Sequence, residues 1–189
     1  MGKYEAVVIG VSSGGLEALR IVLPFLPADF PAPVLIVYHR GSQRDRFVIE
    51  YMNQLAGMEV KEAEEKEPLV PGFIYLAPPN YHLLVEEDRT LALSTEKRVS
   101  YSRPSIDILF ETAAEAYGSG LVGLILTGAN HDGAKGMKTL KERGGLALVQ
   151  NPDTAEVGRM PRAAMKTAGA DRILELREVG PYLRRLFGR

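Results

Sequence analysis

The sequence predicts an α/β fold: a doubly wound, mostly parallel sheet with helices on both faces and a small antiparallel hairpin extension. Short apolar runs rich in Val, Ile and Leu recur along the chain, and most are followed by stretches in which apolar residues repeat every three or four positions. Strands that alternate with amphipathic helices are typical of parallel sheets covered on both faces. Two short apolar runs at residues 83–85 and 91–93 instead flank a charged turn, which predicts the hairpin.

The first half of the chain contains three further strand candidates and two helix candidates. A buried strand over residues 4–9 precedes a leucine-faced helix that ends near two prolines. A β-branched run at residues 34–37 predicts the second strand, and residues 45–55 are expected to form a second helix. The acid-rich stretch 61–65 is interpreted as a solvated connection before a strand at residues 73–77.

The second half continues the alternation after a polar, basic stretch at residues 95–103, which is interpreted as a loop. A helix is expected to begin at Pro104-Ser105, because proline is favoured in the first helical turn. Residues 121–126 form the strongest interior strand candidate. The elements expected after it are a helix through Met137 and Leu140 that ends at Gly144-Gly145, a strand at 146–149, a helix at 161–168, a strand near 173–174 and a terminal helix.

Length and composition narrow the class of protein. With 189 residues the chain is long enough for one domain with a sizeable core and short for two, so residues 1–189 are predicted to form a single domain. The net charge of −1 gives no indication of a nucleic-acid partner. The absence of cysteine excludes disulfides and thiolate metal sites, and no apolar stretch approaches the length of a membrane span. We therefore expect a cytoplasmic protein without membrane insertion.

The first predicted strand ends in a glycine-serine turn that resembles a nucleophile elbow. Residues 10–14 read Gly-Val-Ser-Ser-Gly, which is G-x-S-x-G at a strand-to-helix junction. Small residues around Ser12 allow a sharp turn that would expose its hydroxyl above the sheet. Backbone N–H groups of such a turn, including those of Ser13 and Gly14, are candidates for stabilising an oxyanion.

Two other chemically competent residues follow predicted strands. His39 comes after the second strand and Asp132 after the strand at 121–126. Ligands of open α/β sheets bind beyond the carboxyl ends of the strands, so these side chains and Ser12 are expected at one edge, where they could form a Ser-His-Asp triad. His131 is the main competitor for the base, and His82 is interpreted as a structural or rim residue.

Less specific interpretations of the same residues remain open. Asp132, which precedes Gly133 and a helix, is equally well explained as the N-cap of that helix. Gly14-Gly15 at a helix start could cradle a phosphate, although the turn matches neither G-x-G-x-x-G nor the P-loop pattern. The histidines lack metal-ligand spacing, so neither a metal nor a cofactor is expected.

Short motifs spread over nearly the whole chain resemble the catalytic domain of the chemotaxis protein-glutamate methylesterase family. They are Ile9-Gly10-Val11-Ser12-Ser13-Gly14-Gly15-Leu16-Glu17-Ala18-Leu19-Arg20, Val70-Pro71-Gly72 with Ala77-Pro78-Pro79, Arg103-Pro104-Ser105-Ile106-Asp107, Leu126-Thr127-Gly128 with His131-Asp132-Gly133-Ala134, and Met160-Pro161-Arg162-Ala163-Ala164. The resemblance implies a doubly wound α/β hydrolase of glutamate methyl esters on chemoreceptors, and some members also deamidate receptor glutamines. The family's triad falls on Ser12, His39 and Asp132.

The chain departs from the family pattern near each triad position. Val11-Ser12-Ser13 stands where the family commonly has Ala-Ser-Thr, and Tyr38 and Arg40 flank His39 where Gln and Met are usual. Gly128-Ala129-Asn130 replaces a typical Gly-Met-Gly, whose methionine helps to shape the oxyanion region. Typical members also carry an N-terminal receiver domain, for which 189 residues leave no room. Either a separate regulatory protein is a partner, or the chain is unregulated, or the sequence is a piece of a longer protein.

Further candidate residues lie near the predicted triad. Backbone groups around Ala129 and Asn130 join the oxyanion candidates, while Arg40, Arg103, Lys97 and Arg98 are candidates for a basic rim that steers an acidic receptor helix. The expected partner is a methylated chemoreceptor or a related signalling protein. A non-catalytic signalling or binding module that retains the fold is the alternative function.

Overall fold

The computed structural model describes residues 3–39 and 46–188. The strands are β1 (Ala6–Val11), β2 (Val34–Tyr38), β3 (Glu59–Glu62), β4 (Phe73–Leu76), β5 (His82–Val85), β6 (Leu91–Ser94), β7 (Leu121–Ile125), β8 (Leu146–Gln150) and β9 (Arg172–Leu174). The helices are α1 (Gly15–Val22), α2 (Arg46–Leu55), α3 (Ile106–Tyr117), α4 (Ala134–Glu142), α5 (Arg159–Ala168) and α6 (Leu176–Phe187), with short 3-10 turns at Leu23–Phe25 and Gly118–Gly120.

Seven strands form one sheet in the order β3-β4-β2-β1-β7-β8-β9, and all their pairings are parallel. The chain moves outward from β1 in one direction first and later in the other, so the strand order reverses between β1 and β7. A crevice at the carboxyl ends of these strands is the usual ligand site of such a sheet. β5 and β6 pair antiparallel in a separate sheet, which confirms the predicted hairpin.

Helices cover both faces, as the doubly wound prediction requires. All six residues of β1 are buried, because successive side chains point to opposite faces and both faces carry a core. On one face, Val7 and Ile9 pack with the apolar sides of α1, α2 and α6. On the other, Ala6 and Val8 pack with α3, α4, α5 and the β5–β6 hairpin.

Several predicted element boundaries differ from the structure. The helix expected to begin at Pro104-Ser105 begins at Ile106, with Ser105 as its N-cap. The first strand begins two residues later than predicted and continues to Val11. The interpretation of 61–65 as a solvated connection is wrong for its first two residues, since Lys61 and Glu62 belong to edge strand β3. The Asn53 side chain of α2, seven residues away along the chain, bonds both the N–H and the carbonyl of Val60 and ties this polar segment to the helix.

No helix among the described residues is long and apolar enough to cross a membrane.

Candidate active site

Ser12 lies immediately beyond the carboxyl end of the central strand. Its N–H donates to the Thr127 carbonyl at 3.0 Å, which extends the pairing of β1 with the chain that leaves β7. Its own carbonyl accepts the N–H of Gly15 at 2.8 Å and closes the turn into α1. Gly14 has a φ of +77° at the helix N-cap, a conformation that strongly favours glycine. Ser12 as a whole is 8% exposed, so most of this residue is buried in the turn.

His39 is held next to this turn by the adjacent strand. Its N–H donates to the Val11 carbonyl at 3.0 Å, so the β1–β2 ladder continues to the residue before Ser12. The imidazole is 11% exposed, and its Nε2 lies 2.9 Å from Oδ2 of Asp132. The structure therefore brings residues from the ends of β2 and β7 into direct contact beside the Ser12 turn.

The Asp132 carboxylate is fully buried and anchored at the N-terminus of α3. Oδ1 accepts from the Ser105 hydroxyl at 2.9 Å and from the Asp107 N–H at 2.9 Å. Oδ2 accepts from the Ile106 N–H at 2.7 Å as well as facing His39. The free N–H groups of a helix N-terminus favour a negative charge there.

The N-cap interpretation of Asp132 named the wrong helix. Gly133, which has no side chain, is the N-cap residue of α4, and the carboxylate that accepts N–H groups at this helix start is that of Asp107. Asp132 instead satisfies N–H groups of α3, which lies well before it in the sequence. Helix capping and histidine binding are thus two functions of one carboxylate.

The two remaining histidines occupy different environments. His82 is fully buried, accepts the Ser105 N–H at Nδ1 over 3.1 Å and faces the Lys97 carbonyl with Nε2 at 3.1 Å. These partners require the tautomer with the proton on Nε2, a structural role. His131 is exposed.

Two buried carboxyl groups next to each other have opposite pKa shifts. Burial works to raise the pKa of Asp132, but the hydrogen bonds from His39 and from the Asp107 and Ile106 N–H groups outweigh it and hold the pKa below its usual range. Burial raises the pKa of Asp107 to about 6, and the negative charge of Asp132 adds to the rise. Asp107 Oδ1 accepts the N–H groups of Gly133 and Gly136, so it braces the loop that carries Asp132.

We expect Asp107→Asn to stabilise the protein near neutral pH. A raised carboxyl pKa means that the folded state binds more protons between about pH 4 and pH 6, so stability falls as pH rises through that window. An amide keeps the oxygen that accepts both N–H groups and removes the charge. Urea denaturation of the variant should show a gain on the order of 1–3 kcal/mol at about pH 7.5 and a smaller gain at about pH 4.5. Equal or lower stability at the higher pH would contradict this account.

The predicted oxyanion residues surround the serine turn at different degrees of exposure. Ser13 and Ala129 are exposed, and Gly14 and Asn130 are half-buried. Gly128 is not a free donor, because its N–H donates to the Val157 carbonyl at 2.9 Å. The Thr127 hydroxyl donates to the Ser13 carbonyl at 2.9 Å and ties the two turns together.

The phosphate-cradle interpretation of Gly14-Gly15 finds no support in this turn. A Cβ added at Gly14 would lie 2.7 Å from Oε2 of Glu156, so a carboxylate already packs against the turn. Within residues 3–39 and 46–188, no group of three or more acidic or histidine side chains is arranged to hold a metal ion.

A cavity of about 330 Å³ opens beside His39 and is walled by the loop that was predicted to be basic. Arg98 and Arg103 line it together with Tyr101, whose side chain is 91% exposed. Arg103 Nη1 donates to the carbonyls of Thr95 and Glu96, so part of this guanidinium holds the loop itself. The predicted rim residue Arg40 lies outside the described residues, and Lys97 is exposed on the same loop.

Comparison with known proteins identifies the family to which this site belongs. The family model described as CheB methylesterase matches residues 7–183, nearly the whole chain. The chain belongs to the CheB methylesterase family. The crystal structure of the Thermotoga maritima CheB methylesterase catalytic domain superimposes with a TM-score of 0.92 at 32% identity and covers 97% of this chain and 98% of that one. The resemblance and the fold class predicted from sequence are thereby confirmed, and the family is one of ester hydrolases.

CheB relatives of two lengths match this chain. A putative protein-glutamate methylesterase/protein-glutamine glutaminase of Leptospira interrogans is 51% identical over 97% of this chain and 95% of its own length. The Archaeoglobus fulgidus protein-glutamate methylesterase/protein-glutamine glutaminase is 38% identical over 94% of this chain, which spans only 52% of that relative.

Sequence reasoning missed the roles of three residues in this candidate site. Ser105 and Asp107 were noticed only as part of a motif, yet they bind Asp132 and its loop directly. Asn130 was considered for the oxyanion or substrate region, whereas its amide Nδ2 lies 3.0 Å from Nδ1 of His39. Spacing along the chain carries no signal for these pairs, because α3 and the loop after β7 meet only in the folded protein.

Proposed function

We propose that this chain, as one catalytic unit over residues 1–189 acting in the cytoplasm, is a serine hydrolase that removes methyl groups from glutamate methyl esters of chemoreceptor-like proteins. Ser12 is the nucleophile, His39 the base and Asp132 the group that orients the base. The observation that carries the proposal is the 2.9 Å contact between His39 and Asp132 beside the Ser12 turn, in a chain of the CheB methylesterase family.

The mechanism follows from the hydrogen bonds of the imidazole. Nε2 faces an ionised carboxylate that can only accept, so the proton of neutral His39 resides on Nε2 and Nδ1 is the basic atom. Ser12 Oγ attacks the ester carbonyl carbon while its proton passes to Nδ1. Collapse of the tetrahedral intermediate breaks the bond to methoxide, which leaves as methanol with that proton. Water then hydrolyses the acyl-enzyme by the same route, which restores the Ser12 hydroxyl and leaves a glutamate side chain on the receptor.

Backbone N–H groups would receive the negative charge that develops on the carbonyl oxygen. Those of Ser13, Gly14, Ala129 and Asn130 lie in the two turns that the Thr127 hydroxyl ties together. A preorganised donor pair in such turns stabilises the transition state more than the substrate. An amide carbonyl meets the same groups, so we extend the proposal to glutamine deamidation, which the relatives' names include.

The cavity beside His39 is the proposed place for the receptor segment. Its arginines offer positive charge to an acidic helix, and Tyr101 presents an aromatic ring at the tip of a tight turn. Val99 and Ser102 exchange two backbone hydrogen bonds across that turn, at 3.1 and 2.8 Å. A rigid turn can present an aromatic side chain with little loss of conformational entropy on binding.

We expect Tyr101→Ala to weaken recognition of a protein substrate without impairing the chemistry. Because the ring is 91% exposed, its removal should leave the melting temperature unchanged. KM for a methylated receptor should rise about threefold to tenfold with kcat nearly constant, since only uniform binding is lost. Steady-state methanol release measures both constants. An unchanged KM would place the receptor elsewhere, and a small soluble ester should be hydrolysed equally by both proteins.

Methanol release from a receptor signalling domain bearing glutamate methyl esters tests the proposal itself. Mass spectrometry of the receptor should show loss of methyl groups in step with methanol. A folded chain that binds the methylated domain and releases no methanol would favour the non-catalytic signalling module. A requirement for an added receiver-type protein would identify the separate regulator as a partner.

A further inference from the structure

The orientation of the Asn130 side chain is determined by its neighbour. Its Oδ1 accepts the N–H of Asp132 at 3.0 Å, the pattern by which asparagine stabilises a turn two residues ahead. An amide oxygen that accepts this bond leaves the Nδ2 amino group for the other contact, 3.0 Å from Nδ1 of His39. Asn130 is therefore a hydrogen-bond donor to the imidazole.

Both ring nitrogens of His39 are consequently occupied. Nε2 faces the Asp132 carboxylate, and Nδ1 accepts from Asn130. The carboxylate alone is sufficient to place the ring proton on Nε2, because an ionised carboxylate cannot donate. Asn130 is thus not needed to select the tautomer, and its amide occupies the lone pair that a serine hydroxyl would require.

We propose that Asn130 is a latch on the catalytic base, a positioning residue that must release Nδ1 before Ser12 can transfer its proton. The inference rests on the proposed function, in which Nδ1 is the basic atom. Asn130 is half-buried between the exposed residues Ala129 and His131, so a substrate entering the site can reach the amide and displace it.

Two substitutions at one position give opposite expected results. Asn130→Ala removes the competing donor, so the rate at which a small sulfonyl fluoride labels Ser12 should rise about twofold to tenfold, the usual strength of one neutral hydrogen bond. Asn130→Asp keeps an acceptor for the Asp132 N–H but supplies no donor. Its second oxygen accepts an N–H from Nδ1, both ring nitrogens become donors, and labelling should fall at least about tenfold.

A purely structural role for Asn130 predicts the opposite result for Asn130→Ala. If the residue only stabilises the turn through Oδ1, Asn130→Ala should label more slowly than the wild type, because the Asp132 N–H loses its acceptor. That pattern, with the wild type labelled normally, would overturn the latch and leave the proposed function intact.

Nitrogen NMR of the His39 ring provides a readout that does not depend on activity. In the wild type, Nε2 should show a protonated shift and Nδ1 the shift of a hydrogen-bonded, unprotonated nitrogen. Asn130→Ala should move Nδ1 alone toward a free lone pair, and Asn130→Asp should make both nitrogens protonated. If neither the wild type nor either Asn130 variant is labelled and none of them releases methanol, the proposed function fails. If the Nδ1 chemical shift is the same in Asn130→Ala as in the wild type, the latch is overturned whatever the activity.

Discussion

Ser12→Ala is expected to lower methanol release by about 10³-fold or more while the protein remains folded. The hydroxyl is the only group removed, and the backbone hydrogen bonds that shape the turn, to Thr127 and Gly15, do not involve it. Binding and oxyanion stabilisation remain, so a small residual rate over water is expected rather than zero. Intact-protein mass spectrometry after sulfonyl fluoride treatment should show one adduct on the wild type and none on the variant.

Ser119→Ala is a suitable control. Ser119 is an exposed serine in the turn between α3 and the start of β7, at the opposite end of that strand from the candidate site. The variant should label and turn over like the wild type. Hydrolysis that persists in folded Ser12→Ala would exclude Ser12 as the nucleophile.

A matched pair of histidine variants tests the base. His39→Ala should lose activity to the same order as Ser12→Ala, because the two groups act as one unit and their losses do not add. His131→Ala should remain active, since His131 is exposed and Asp132 contacts His39. The opposite ranking would make His131 the base.

Asp132→Asn is expected to damage both stability and activity. The carboxylate accepts four hydrogen bonds, from His39, Ser105, Ile106 and Asp107. An amide has one acceptor oxygen, so whichever way it is turned, its NH₂ faces N–H or O–H donors at the N-terminus of α3. Urea denaturation at about pH 7 should show a loss of roughly 2–4 kcal/mol, and methanol release should fall about 10³- to 10⁴-fold because the imidazole loses its negatively charged acceptor.

The pH dependence of the stability loss follows from the lowered pKa of Asp132. A carboxyl group with a depressed folded-state pKa contributes stability above its unfolded value of about 4, and the contribution is lost as pH falls through the folded value. The difference between wild type and Asp132→Asn should therefore be complete near neutral pH and shrink below about pH 4.

Asp153→Asn is the matched control, because it removes the charge of an exposed carboxylate instead of a buried one. Asp153 is exposed and pairs with exposed Arg162 at 2.8 Å, so its loss should cost less than about 1 kcal/mol. If Asp132→Asn proves no more destabilising than Asp153→Asn, the anchoring of Asp132 at α3 would be refuted. Should Asp132→Asn fail to fold, Ser105→Ala removes one of the four bonds and should lower stability by about 1 kcal/mol.

The amino-acid sequence by itself determined the doubly wound class, the order of the elements other than β3, and the sheet edge at which the candidate site lies. Ser12, His39 and Asp132 each follow an apolar strand, and parallel strands end at one side of a sheet, so their proximity could be inferred from local pattern alone. The motif around Ser12 and the resemblance to the methylesterase family carried the activity. The spacing of apolar residues and the turn-forming residues between them involve only neighbours along the chain, so they can be seen in the sequence itself.

Tertiary structure alone decided which atoms meet. Asp132 caps α3 rather than the helix that follows it, Asn130 contacts Nδ1 of His39, and β3 forms where charged residues indicated a loop. Each result depends on register and packing between separate segments of the chain. Buried polar side chains must form hydrogen bonds, and only the folded structure determines which donors and acceptors lie within reach. Residue spacing therefore located the site, and long-range packing determined its hydrogen bonds.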